Sequence, residues 1–303
     1  MTPDVSGPAA RWQPLVLAYL KACELGRRLT EESFLPAAGS GPPALLPTLP
    51  AGTPVAVLCS PHPDDEMLTG ALALRLRKSG AARVVNLALT LGSALERQVE
   101  RWRELQAACA VAGFECRRLE APPGFRLKEG PEGAGWEEAV EGLAAMFAEL
   151  DPRLVFFPHR EDRHPAHVAA HRLAAAALTR LTGGGQRTVL SVETEYWRQM
   201  SAPNLLVGLT PEELAWLLAA LACHRGEIAR NPYHLTLPAR MLDNVRRGAE
   251  LTGRASAGRP DFLFGELYRL SVWRGGDCQT PAIESGWLAP DQDVSWLARA
   301  VAV

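Results

Sequence analysis

The chain has 303 residues, 47% of them apolar and 22% charged, with a formal net charge of −2. This is enough sequence for one large or two small globular domains with a substantial core, and the composition is ordinary for a soluble protein. With its basic residues scattered and balanced by acids, the chain lacks the electrostatic footprint of a nucleic-acid or anionic-membrane binder.

The N-terminal stretch "MTPDVSGPAARWQPLVLAYL" lacks a basic region ahead of its apolar residues and a small-residue cleavage site, so no signal peptide is expected. No apolar run approaches the roughly 20 residues needed to span a bilayer. "RWQPLVLAYLKACELGRRL" has helical periodicity, and "PAAGSGPPALLPTLPAGTP" reads as loop. Residues 1–50 are therefore expected to form a helical extension and linker, and residues 51–303 the main domain.

From there strands and helices alternate. "PVAVLC" is a buried strand, followed by the helix "EMLTGALALRLRKSG", closed by Gly80. "VVNLAL" is the second strand, and "ALERQVERWRELQAACAVAG" a helix ending at Gly113. After a looser stretch come a helix around "EEAVEGLAAMFAEL", the strand "LVFFP", the helix "HPAHVAAHRLAAAALTRL" and the strand "TVLSV". "TPEELAWLLAALACHR" begins with a capping box from Thr210 to Glu213 and Pro211 at the first helical position. "DFLFGELYRLSVW" reads equally as a closing strand pair or a helix end. Basic "RGAELTGRASAGR" reads as a solvated helix end and loop. This order predicts an α/β fold, a mainly parallel sheet covered by helices on both faces, with ligands bound beyond the carboxyl ends of the strands.

Two segments at such strand ends share one grammar. "HPDD" spans His62 to Asp65 and "HPAH" spans His164 to His167; each has His, Pro, a possible metal ligand three places after the His, and then a helix. A residue before proline is pushed out of the α region, which keeps each leading His on the strand side. Proline suits the first helical turn, and the residue at i+3 returns one turn later. A good helix start accounts for the acids but not for histidine in both segments. Four of the seven histidines fall between His159 and His171. A mixed set of His and Asp ligands from two strand ends suits zinc, with one of the two adjacent carboxylates left for proton transfer. The six cysteines form no C-x-x-C pair and are expected as reduced, mostly buried thiols of a cytoplasmic protein.

These segments and their order resemble the PIG-L/LmbE-type zinc-dependent deacetylases, which act on N-acetylglucosamine-containing molecules. The resemblance runs from about Pro54 to Trp273 and includes "LTLGS", "RWRELQAACAVAG" and "ALACHRGE". It implies a Rossmann-like α/β sandwich that binds one zinc ion per chain through His62, Asp65 and His167. It further implies Asp64 as general base, His164 as the group that stabilises the oxyanion or donates a proton, Asp162 as the residue that holds the catalytic histidine, and Arg101 as a substrate contact. The implied reaction removes an N-acetyl group from a small amino-sugar derivative, with no nucleic-acid or membrane partner. Three segments depart from the family pattern: Ser93 replaces a glutamate, Gly226-Glu227 a Ser-Gln pair, and Pro123 an aspartate that contacts sugar. A zinc amidase acting on non-sugar N-acyl compounds, or an inactive zinc-binding module of the same fold, would carry the same site residues.

Other residues have two readings each. His171 either joins His164 and His167 on one helical face or packs against the sheet. His159 lines the pocket or closes its strand, and the counterpart of His224 reads mainly as structural. Arg101 and Glu104 form a solvated ion pair or face the substrate. Trp197 stacks on a sugar or packs in the core. No G-x-S-x-G elbow and no glycine-rich turn after the first strand supports a serine hydrolase or a dinucleotide enzyme.

Overall fold

The structure, a computed structural model, describes residues 11–31, 46–252, 259–280 and 282–299. Most of the expected connector, at 32–45, and most of the basic loop, at 253–258, lie outside the described residues. In chain order the elements are α1 (Gln13–Glu31), β1 (Val55–Ser60), α2 (Asp65–Leu68), α3 (Ala71–Lys78), β2 (Arg83–Ala88), α4 (Gln98–Ala112), β3 (Glu115–Arg118), α5 (Trp136–Leu150), β4 (Pro152–Pro158) and α6 (Pro165–Thr182). Then follow β5 (Thr188–Thr194), β6 (Leu205–Leu209), α7 (Pro211–Leu221), α8 (Arg225–Arg230), α9 (Tyr233–Leu251), β7 (Phe264–Arg274), β8 (Asp277–Gln279), β9 (Gly286–Leu288) and α10 (Ser295–Arg299).

The strands form one sheet in the order β3-β2-β1-β4-β5-β7-β6-β9, with β8 paired to β7. The β3 to β5 half is parallel throughout. Beyond it, β7 runs antiparallel to both β5 and β6, so the sheet is mixed. The ambiguous "DFLFGELYRLSVW" segment supplies this single long strand. Because β7 is buried along nearly all its length, it lacks the alternation that identifies a half-exposed strand.

Every residue of β1 is buried because helices cover both faces. Ala56 and Leu58 join the core beneath α3, α4 and α7, while Val55, Val57 and Cys59 join the core beneath α5 and α6. Fully burying one such aliphatic side chain contributes about 1.5–3 kcal/mol, which holds the strand's register and therefore the position of the residues that leave its end. The Thr210 hydroxyl accepts from the Glu213 N–H at 3.2 Å, and the Glu213 carboxylate accepts from the Thr210 N–H at 3.0 Å. This is the expected capping box, and it starts α7.

From β1 the chain moves outward to β2 and β3, then returns to place β4 on the other side of β1. Neighbouring connections therefore diverge between β1 and β4, which opens a crevice at their carboxyl ends. Both His-Pro segments emerge there.

Helix α1 packs against α9, with Gly26 opposite Leu235; Trp12, Leu15, Val16, Tyr19 and Leu20 are exposed. Among the described residues no helix is long and apolar enough to cross a membrane. All six cysteines are free thiols. Cys59, Cys109 and Cys223 are buried, but Cys23 and Cys278 are exposed and Cys116 is intermediate, so burial holds for half of them. The exposed pair lies outside the main sheet's core, on α1 and on the edge hairpin strand β8.

Candidate metal centre

Strand β1 leaves the core through Pro61, His62 and Pro63 and reaches Asp64 with φ 117° and ψ −31°. A non-glycine residue in such a conformation costs on the order of 1–3 kcal/mol and persists only where its surroundings enforce it. Here the Asp64 N–H donates to the Glu66 carboxylate at 2.9 Å and the His62 N–H to Asp65 Oδ2 at 2.9 Å. The Thr90 hydroxyl donates to the Pro61 carbonyl at 2.8 Å, and Arg101 Nη2 to the Pro63 carbonyl at 3.1 Å. The second arm follows β4. Asp162 Oδ1 accepts the His164 N–H at 2.8 Å, His164 is extended (φ −79°, ψ 123°), and Pro165 opens α6. His167 then lies one turn along.

The two arms bring His62, His164 and His167 together, with one ring nitrogen of each within 4.8 Å of the others. Asp65 lies between the two segments: Oδ2 is 3.4 Å from His62 Nδ1, and Oδ1 is 3.4 Å from His167 Nε2. On the other side of the His167 ring, Nδ1 is 3.5 Å from Asp162 Oδ2. Thus the three histidines form one cluster, and Asp65 contacts two of them, His62 and His167. Although deep in the protein, both His167 ring nitrogens and Nδ1 of His164 lack an aligned hydrogen-bond partner. Buried polar atoms are seldom left so. Three imidazoles whose ring nitrogens stand this close, with the Asp65 carboxylate beside two of them, fit a borderline cation such as zinc.

The electrostatics agree. Burial works against a charged imidazole at His167, yet Asp65 and Asp162 on either side raise it to about 10. Burial also opposes ionisation of Asp65, but the neighbouring His167 and His62 hold its carboxyl below the usual carboxylate range. The site thus favours positive charge. Asp64 differs from its neighbour: burial first, then the adjacent Asp65 and Glu66, push its carboxyl well above its ordinary value, with Arg101 opposing them. Burial, reinforced by His62 and His167, lowers His164. A carboxyl pushed up beside a cation-favouring cluster is suited to move protons. Behind the cluster lies a cavity lined by residues that include Ser60, Asp65, Thr69, Phe156, His167 and Tyr196.

The other candidates separate clearly. The His171 Nδ1 lies 3.1 Å from the Pro158 carbonyl and 3.3 Å from Glu193, outside the cluster. His159 is buried, with Nε2 2.8 Å from the Arg198 carbonyl. Arg101 and Glu104 are not a solvated pair: both are buried, Arg101 contacts Pro63 and Glu227, and Glu104 accepts the Gly226 N–H at 3.0 Å. Trp197 is not core; it is 45% exposed and stacks on His164 with ring centroids 6.1 Å apart.

Sequence reasoning did not connect Glu66 to His224 or Arg101 to Glu227. No local signal reveals these pairs: Arg101 and Glu227 stand in polar helix segments and His224 precedes α8. Gly92 is also part of this scaffold. It has φ +89°, and a Cβ there would collide with the Arg101 guanidinium. Gly92→Ala is expected to lower stability by about 1–3 kcal/mol, measured by denaturant unfolding. The equivalent change at Gly184, which faces open space, should have a much smaller effect.

Residues 57–178 match the family described as PIG-L, GlcNAc-PI de-N-acetylase. The 1D-myo-inositol 2-acetamido-2-deoxy-alpha-D-glucopyranoside deacetylase of Saccharomonospora viridis is 29% identical over 152 residues, 40% of this chain and 57% of that protein. Its namesake in Mycolicibacterium gilvum is 28% identical over 186 residues, 52% of this chain and 63% of that protein. The chain thus spans about three fifths of the length of these relatives. In fold it is similar to the N,N'-diacetylchitobiose deacetylase of Pyrococcus horikoshii, with a TM-score of 0.55 and 15% identity over 88% of this chain and 94% of that one.

Proposed function

Residues 57–178 carry a domain of the PIG-L family, and from that premise we propose that the chain is a zinc-dependent hydrolase that removes an N-acetyl group from a small amino-sugar derivative. The observation that carries this reading is the meeting of His62, Asp65 and His167, with both His167 ring nitrogens lacking an aligned hydrogen bond, beside the raised carboxyl of Asp64. One zinc ion held by His62, Asp65 and His167 would supply Lewis acidity toward the amide carbonyl and make a reacting water more acidic.

The chain's own groups do the rest. Asp64 takes a proton from the attacking water onto a carboxylate oxygen as the C–O bond forms. It returns that proton to the amide nitrogen as the C–N bond breaks, which leaves acetate and a free amine on the sugar. His164, held by Asp162 and by Trp197, donates to the developing oxyanion, a contribution of about 3 kcal/mol for one well-placed donor. Asp162 also faces His167 and so fixes the relation between the two histidines. Arg101 supports the Pro63 carbonyl and counters the negative charge around Asp64; a direct substrate contact at its remaining donors would add to that role.

Residues 51–303 carry this activity in our reading, with residues 1–50 as a helical extension and linker; the exposure of α1 supports the division. The free thiols fit a reducing, cytoplasmic compartment. Small N-acetylated molecules are the proposed partners.

Pro123 and Ser93 stand where a sugar-binding aspartate and a glutamate would be expected, so free N-acetylglucosamine should be a poor substrate and its glycosides better ones. Trp197, half-exposed at the rim, offers the larger conjugate an apolar face. Acetate release is to be measured across free N-acetylglucosamine, its glycosides and simple N-acetyl amines. Preference for glycosides is expected, with Trp197→Ala raising their KM on the order of tenfold, the scale of the apolar area lost. Activity confined to simple N-acyl amines would favour the amidase reading instead.

A further inference from the structure

His224 and Glu66 are 158 positions apart in sequence, both fully buried, and joined by a 2.6 Å contact between Nε2 and Oε1. A carboxylate only accepts, so Nε2 carries the proton and donates it. The other oxygen of the same carboxylate, Oε2, accepts the backbone N–H of Asp64 at 2.9 Å. Asp64 is the residue with φ 117°. Two hydrogen bonds thus run in series from the last residue of the α7–α8 connection to the one strained backbone position of the metal-centre arm.

Each part of this arrangement has a physical reason. A buried carboxylate needs fixed donors, and Glu66 finds one in an imidazole and one in a main-chain amide. The backbone that carries the imidazole is itself fixed, because the His224 main-chain N–H donates to the Leu221 carbonyl at 3.0 Å and its carbonyl accepts the N–H groups of Glu227 and Ile228 at the start of α8. The helix pair therefore serves as a rigid mount from which Glu66 holds the Asp64 amide.

We propose that His224 is a positioning residue for the deacetylation: acting through Glu66, it holds Asp64 in its left-handed conformation and so fixes where the Asp64 carboxylate stands relative to the metal ligand Asp65. This rests on the reading of Asp64 as the proton-transfer group. His224 touches neither substrate nor metal. If it relaxes, consecutive Asp64 and Asp65 lose the backbone bend that lets their side chains take different tasks. Misplacement of a reacting group by about 1 Å costs on the order of 10²-fold in rate.

The test compares His224→Gln, whose amide nitrogen can stand where Nε2 stands, with His224→Asn, whose amide is too short to reach Glu66. Both are polar and buried, so general destabilisation is similar. At equal metal content per chain, His224→Asn is expected to lose kcat by about 10²-fold with little change in KM, and His224→Gln to recover most of it. The second readout is hydrogen exchange at the Asp64 amide by NMR, which is independent of activity. Exchange should quicken in His224→Asn relative to the amides of β4 and return toward the original rate in His224→Gln.

Unchanged turnover and unchanged Asp64 exchange in His224→Asn overturn the proposal. So does a loss of turnover that follows metal loss in proportion, or a His224→Gln variant as impaired as His224→Asn. Should His224→Asn not fold, Glu66→Met breaks the contact from the other end and removes the buried carboxylate; the same two measurements then decide. If the unaltered chain releases acetate from no compound tested, the deacetylase reading fails while the exchange comparison still decides the clamp.

Discussion

Asp64→Asn is expected to keep its metal and lose turnover by a factor on the order of 10²–10⁴, the range for removing a positioned acid–base group. Asparagine preserves the shape and the backbone N–H that Glu66 accepts, so φ and the loop are retained while the proton acceptor is gone. The two adjacent carboxylates, to which the family resemblance gives different roles, also differ in their surroundings. Asp65 faces His62 and His167 at 3.4 Å each, and those rings hold its carboxyl low. Asp64 faces burial and two acidic neighbours, and its carboxyl is pushed up. Asp65→Asn should therefore empty the site, whereas Asp64→Asn should not. Elemental analysis and acetate release on both variants decide the matter; metal lost from Asp64→Asn and kept in Asp65→Asn would reverse the assignment.

His167→Ala is expected to reduce metal affinity by more than the roughly 10–100-fold typical of losing an outer partner of a ligand, because in the proposed site it removes a ligand outright. It also leaves Asp65 and Asp162 facing each other across the vacated ring position, which adds repulsion to the loss. A tightly held metal stabilises only the folded chain, by about 4 kcal/mol when present at a thousand times its Kd. Chelation should therefore lower the Tm of the unaltered protein and leave that of His167→Ala nearly unmoved. His171→Ala serves as the comparison: its ring is held by the Pro158 carbonyl and Glu193, so metal content and the chelator response should persist. A chelator response in His167→Ala equal to that of the unaltered chain would remove His167 from the ligand set.

Read by itself, the sequence already determined the parallel half of the sheet and the two arms of the metal centre. Those features are written in local order. Apolar runs such as "VAVLC" and "LVFFP" are short enough for strands, the helices between them carry their own periodicity and closing glycines, and proline constrains both itself and the residue before it. His62 with Asp65, and His164 with His167, are spaced by a single turn, so backbone geometry alone relates the members of each pair.

What only the tertiary structure decided is everything that joins distant segments. The antiparallel β7 had no alternation to reveal it, because it is buried on both faces and mixes apolar residues with the buried Glu266, Arg269 and Ser271. Arg101 and Glu104 looked like an i,i+3 surface pair, yet α4 turns both inward to separate partners. Trp197 follows a buried strand and could have packed, but the end of β5 places it over His164 at the rim. Above all, the proposed division of labour between Asp64 and Asp65 involves a backbone position whose N–H Glu66 accepts, and Glu66 meets His224, 158 positions away. Local sequence encodes local backbone preference. A strained conformation is by definition one that local preference opposes, so only packing across the whole chain could have produced it.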